Sequence, residues 1–205
     1  MEINTLFYFL TASVILTLAP GPDNMYLLAK SLASGARSGV ALSAGLASGI
    51  VFHTTLVILG VAALLQSSPL AFTVLKFVGA AYLLYLAGKA FREHGELQLG
   101  EAGEGAPYLA IYRRGVLMNV LNPKVLLFFL AFLPQFVDSA SEQVGWHIAM
   151  LGAVFALQAF AIFSLIALCA GRVRSFILGC KNINRILGIV QGVVLTAIAL
   201  AILLT

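Results

Sequence analysis

Apolar runs long enough to cross a bilayer follow one another along this chain, and two of them are interrupted by proline. A span needs roughly 20 apolar residues, and six such runs lie at about 4–33, 39–65, 69–91, 113–136, 142–170 and 183–205. Proline removes a backbone donor and clashes with the preceding turn, so a helix that carries it kinks or opens. Hydrocarbon offers freed backbone groups no partner, so such a break must face protein or a wet cavity. The first break is Ala19-Pro20-Gly21-Pro22-Asp23-Asn24, and the second is Asn119-Val120-Leu121-Asn122-Pro123-Lys124. Interrupted spans at corresponding places in two halves of a membrane protein point to a transporter's binding site.

Composition supports the membrane reading. Hydrophobic residues make up 61% of the chain and charged residues 10%, against about 45–50% and 25% in soluble domains. The expectation is an all-α polytopic membrane protein of six transmembrane helices, with no soluble domain. The joints fall at Ser34 to Ser38, Gln66 to Pro69, about 92–112, Val137 to Ser141, and Gly171 to Asn182. The segment near 92–112, with Glu93, Glu96, Glu101, Glu104 and several glycines, reads as a flexible polar tether, too short and polar to bury a core.

Basic residues set the expected orientation. With six spans, ten of the twelve Lys and Arg residues gather on one side: Lys30, Arg37, Lys89, Arg92, Arg113, Arg114, Arg172, Arg174, Lys181 and Arg185. Lys76 and Lys124 lie inside spans. Basic loops stay cytoplasmic, which puts both termini on the non-cytoplasmic side. The opening Met1-Glu2 lacks a basic n-region, and the candidate cleavage site after Ala19 is followed by Pro20, so a cleavable signal is not expected. The basic charge is spread over three short loops, which suits topology and anionic lipid and argues against nucleic acid. Cys169 and Cys180 lack metal spacing and read as structural thiols.

A faint internal repeat accompanies the breaks. Lys76-Phe77-Val78-Gly79 opens the third run much as Arg185-Ile186-Leu187-Gly188 opens the sixth, and Pro22-Asp23 matches Pro123-Lys124. Three spans per half is an odd number, so the second half enters with opposite polarity: a 3+3 inverted-topology repeat. Repeat one covers about 1–91 and repeat two about 113–205, joined by the cytoplasmic loop and together forming one transporter domain.

Asp23, His53, Lys124, Gln158 and Gln191 fall near mid-span. A charge at the bilayer centre costs about 2.5–3.5 kcal/mol on insertion scales, so Asp23 and Lys124 are expected to approach each other or share a substrate. The candidate transport residues are Pro20, Gly21, Pro22, Asp23, Asn24, His53, Lys76, Asn119, Asn122, Pro123, Lys124, Gln158 and Gln191. Asp23 and His53 are the proton-coupling candidates, because an ordinary histidine titrates near pH 6.5. Plainer roles stand beside these. Asp23 and Lys124 can cap half-helices, Lys76 can snorkel to the outer face, and His53 can be a satisfied structural histidine. Gln158 and Gln191 can be interhelical hydrogen-bonders, while His147 beside Trp146 suits the interface belt. The small faces Gly45 to Gly49 and Gly188 to Gly192 suit close helix packing within the chain or a homodimer.

Leu18-Ala19-Pro20-Gly21-Pro22-Asp23 resembles the LysE/RhtB family of bacterial amino-acid exporters. So do the run Lys76 to Gly88, Arg114-Gly115 followed by Asn119 to Lys124, and Phe132-Leu133-Pro134-Gln135-Phe136. His53, in Gly45 to His53, is similar to the homoserine/threonine-exporter branch. The resemblance spans essentially the whole chain. It implies a bacterial inner-membrane exporter of amino acids or close derivatives, driven by protons, with no cofactor, metal or catalytic residue. A passive channel for zwitterions is the alternative within transport. A thiol–disulfide electron carrier would need a redox cysteine pair at the breaks, which carry Asp, Asn and Lys instead. An intramembrane enzyme using Asp23 and His53 would need a serine nucleophile motif, a metal cluster or a second catalytic carboxylate, and the sequence offers none.

Overall fold

The computed structural model describes residues 3–61, 69–92, 106–138, 141, 143–179 and 182–204. The described residues fold as α-helix without strands. Helix α1 (Ile3–Leu18) ends at the first break, and α2 (Pro22–Ser34) leaves it at an angle of 59°. Pro22 opens α2 in the first turn, where the missing N–H costs nothing. Gly35 alone separates α2 from α3 (Ala36–Leu56), and its φ of +81° is a backbone conformation that glycine reaches freely. A π-helical turn, Val57–Val61, extends α3. Helix α4 (Pro69–Arg92) carries Lys89 and Arg92 in its last turn, where cations complement the helix dipole.

The second half repeats the bent pattern. Helix α5 (Tyr108–Val120) ends at the second break, and α6 (Pro123–Leu127) continues through a π-helical turn at Phe128–Phe132 and a 3-10 turn at Leu133–Phe136. This bend is 50°. Helices α7 (Val144–Leu168), α8 (Ala170–Gly179) and α9 (Ile183–Leu204) complete the chain. Among the described residues four helices are long and apolar enough to cross a membrane, and up to six spans result if each bent pair is one span.

Two expectations need correction. The tether expected at about 92–112 ends earlier, because α5 begins at Tyr108. Tyr108-Leu109-Ala110-Ile111-Tyr112 is apolar, and the Pro107 carbonyl accepts from the amides of Ala110 and Ile111, starting the helix. The joint expected at Gly171 to Asn182 holds the short helix α8, whose Ala170 and Val173 pack with Leu28 and Leu32 of α2. The joint at Gln66 to Pro69, the tether's glutamates and Cys180 lie outside the described residues.

The core is built where α3, α5 and α7 meet and where α4 lies along α9. Helices α3 and α5 approach until their backbones nearly touch: a Cβ on Gly45 would collide with the Tyr112 carbonyl, and one on Gly115 with the Leu42 carbonyl. Gly49 leaves room for the Asn119 side chain, and Gly152 of α7 for the Thr54 side chain of α3. The Gly45 to Gly49 face is thus used inside the chain. Large apolar side chains such as Leu70, Val74, Phe77, Val78 and Tyr85 stand exposed along α4, as expected of a face turned toward lipid tails.

Candidate functional site

The two breaks meet inside the bundle. Thr17, Asp23, Asn24, Asn119, Asn122 and Lys124 are each at least nine-tenths buried, although none has an apolar side chain. Buried polar groups are stable where they find partners, and here Asp23, Asn122 and Lys124 find partners across the opposite break.

Lys124 spans the gap. Its Nζ donates to the carbonyls of Leu16 (3.1 Å) and Ala19 (3.2 Å), which are orphaned where α1 ends. A cation there also meets the negative end of the α1 dipole. Asn24 works on the same helix end, donating from Nδ2 to Thr17 O at 3.0 Å and Ala19 O at 3.4 Å. Asn122 is the cap of α6: its Oδ1 accepts from the Lys124 amide at 3.0 Å. Its Nδ2 donates to Asp23 Oδ2 at 2.5 Å. Asp23 and Lys124 therefore attract each other through space while each is held by other groups, the carboxylate by Asn122 and the ammonium by α1.

A cavity of about 20 Å³ lies between the breaks, lined by Leu16, Thr17, Asp23, Asn24, Ile50, Asn119, Lys124, Val125, Phe155 and Phe163. That is room for about one water. Asn119 Oδ1 is buried against Gly49 of α3, without a hydrogen-bond partner among the described residues. Asn119 is also tied to α3, because its carbonyl accepts from His53 Nε2 at 3.0 Å. A carbonyl only accepts, so the His53 proton sits on Nε2. His53 is fully buried, and its Nδ1 has no partner. Gln158 of α7 supports the wall from behind, its Nε2 donating to Thr17 Oγ1 at 2.9 Å.

A second cavity, of about 600 Å³, opens at the end of the bundle where α1 begins and α7 begins. Thr5, Gln135, Phe136, Asp138 and His147 are among its lining residues. Phenyl rings join the two cavities. Phe136 of the open one meets Phe132 edge-on (4.9 Å between centroids), and tilted contacts join Phe132 to Phe128 (4.8 Å) and Phe128 to Phe155 of the closed one (5.4 Å). Phe9 of α1 closes the column against Phe128 and Phe136.

The structure thus brings Asp23, Asn24, Asn119 and Lys124 to one cavity, with Pro20, Gly21, Pro22, Asn122 and Pro123 forming its two breaks. His53 and Gln158 stand one contact behind it. Lys76 lies on α4 and Gln191 on α9, away from the cavity. Sequence reasoning passed over Thr17 and the ring column. Thr17 sits four residues before Gly21 on an apolar helix, where threonine commonly bonds its own helix, as it does to Ser13 O at 2.8 Å. The signal for the column was the Phe128-Phe129-x-x-Phe132-x-x-x-Phe136 spacing, which places rings on one helical face.

Comparison with known proteins bears on what this arrangement serves. No solved structure matches. The chain is 31% identical over 170 residues to an uncharacterized membrane protein of Vibrio cholerae serotype O1, covering 83% of each. It is 31% identical over 178 residues to the homoserine/homoserine lactone efflux protein of Salmonella typhimurium, covering 87% of this chain and 86% of that one. It is 27% identical over 183 residues to the leucine efflux protein of Salmonella choleraesuis, covering 87% and 84%. The family model described as LysE type translocator matches residues 14–205. The chain is a transporter rather than an enzyme, and it belongs to the LysE type translocator family.

Proposed function

We propose that this protein exports amino acids or close derivatives across the bacterial inner membrane, driven by the proton gradient through alternating access. The observation that carries the reading is the closed cavity between the two breaks, with a carboxylate, an ammonium and two amides on its wall. An amino acid presents the complementary pair, an ammonium and a carboxylate. Export is supported by the two relatives whose names specify efflux of homoserine or its lactone and of leucine.

Each bent pair is then one span opened at proline, giving six spans with both termini outside the cytoplasm. An inverted repeat of three plus three is supported by the packing of α3 on α7 and α4 on α9. In such a repeat each of these helices meets its own counterpart. Asp23 pairs with the substrate ammonium and, with His53, is the candidate for carrying the coupling proton. The substrate carboxylate is received by Lys124 and by a half-helix N-terminus, which carries partial positive charge. A 20 Å³ cavity is too small for an amino acid, so this conformation is a closed one, sealed by the phenyl column on the side of the open cavity. Rocking one repeat against the other opens the cavity to each face in turn.

The test is efflux from cells loaded with amino acids through peptides, comparing an expressing strain with a null strain, with and without a protonophore. Faster loss of one amino-acid class that stops when the gradient collapses is the expected result. Loss that continues unchanged would mean a passive facilitator, and no difference for any amino acid would overturn the substrate class.

A further inference from the structure

The polar wall of the closed cavity is unbalanced. Leu16 O and, just beside the cavity, Ala19 O are carbonyls at the open end of α1, and Asp23 contributes a carboxylate. Against these acceptors the cavity has one full positive charge, and it arrives on a tether from the other half of the molecule, 105 residues from Ala19. The Lys124 ammonium donates two hydrogen bonds to α1 and none to a side chain.

We propose that the carbonyl end of α1 is a binding site for a primary ammonium group, that Lys124 fills it as a tethered occupant in the closed protein, and that the substrate's own ammonium takes its place. This deepens the export reading and rests on it for the identity of the incoming ligand. Exchange of one ammonium for another leaves the carbonyls and Asp23 satisfied throughout. Their desolvation is then never uncompensated, a state that is costly in a buried site. The displaced Nζ, still tethered beside the cavity, is free to meet the substrate carboxylate. A ligand with only an ammonium would displace Lys124 and leave it unpaired, and a ligand with only a carboxylate would have nothing to displace it with. The exchange therefore selects zwitterions.

The experiment uses purified full-length protein in detergent, melted against n-propylammonium, with 1-propanol as the neutral control. In Lys124→Ala the site is vacated, so n-propylammonium should raise the melting temperature in a saturable way, as mass action requires of a ligand bound to the folded state, whereas in Lys124→Met the thioether stem fills the same space and should abolish the response. Propanol should do nothing, and the wild-type protein should be indifferent to both. An amino acid that stabilises the wild type should shift the n-propylammonium titration of Lys124→Ala to higher concentration, because the two ammonium groups compete. If Lys124→Ala is recovered poorly, the same reading is taken from yield: n-propylammonium during purification should restore it, and Lys124→Arg should need no addition. Melting and yield of Lys124→Ala that ignore n-propylammonium would overturn the site. Stabilisation by n-propylammonium that simply adds to that of the amino acid would overturn the replacement. Both readouts are of binding, so failure of the export reading, seen as no amino acid stabilising the wild type, would leave the vacated-site result standing.

Discussion

Asn122 is the residue on which the two breaks depend most directly. It caps α6 through Lys124 N and holds Asp23 through its amide. Asn122→Ala removes both contacts, with about 1 kcal/mol expected for the cap and about 1–3 kcal/mol for a buried acceptor left short of a partner. Asn122→Asp keeps the cap but sets one carboxylate against another, so it should depress transport more than it depresses melting temperature. Efflux and thermal unfolding measured on both variants check this. A direct Asp23–Lys124 pair would tolerate exchange of the two residues. The geometry argues otherwise, because the partners of Lys124 are the backbone carbonyls of Leu16 and Ala19, which repel a carboxylate placed at 124. The exchanged pair should stay as inactive as either single variant in an efflux assay, and recovery would show a direct pairing. The charges themselves were legible in sequence, since a charge beside a proline in an apolar run stands out by its cost. Their partners were not, because a lysine side chain several bonds long can turn toward either half of the molecule.

At the scale of elements, the glycines set how closely α3 and α5 lie. Gly45→Val and Gly115→Val would drive branched side chains into the facing backbone. Overpacking of this kind costs typically about 1–3 kcal/mol, and the shift of Asn119 that follows should weaken substrate binding as well. Melting temperature and amino-acid binding measured together would show both effects. Gly35→Ala forces a β-carbon onto a φ of +81°, for a cost of about 1–2 kcal/mol, and should leave transport at normal expression unchanged. The proline breaks and the small-residue faces could be read from spacing alone. The start of α5 and the existence of α8 could not. The charged, glycine-rich stretch before Tyr108 dominates the local composition, and α8 is a short helix whose stability comes from packing on Leu28 and Leu32 rather than from propensity.

For the whole molecule, six spans with basic loops inside put the α1 and α7 starts and the open cavity on the face away from the cytoplasm. Single cysteines at Thr5 and at Arg113, in a chain lacking Cys169 and Cys180, should react with a membrane-impermeant thiol reagent from opposite sides of intact cells and inverted vesicles. Reaction of both from one side would break the six-span arrangement. The proposed transport depends above all on the cavity between the breaks coupling proton movement to amino-acid export through Asp23. The most direct measurement is transport of a labelled amino acid in proteoliposomes under an imposed pH gradient, comparing the wild type with Asp23→Asn. The expected result is gradient-driven accumulation by the wild type and, in Asp23→Asn, accumulation reduced by about tenfold or more, equivalent to about 1.4 kcal/mol, with passive exchange retained. Accumulation by Asp23→Asn equal to that of the wild type would contradict it.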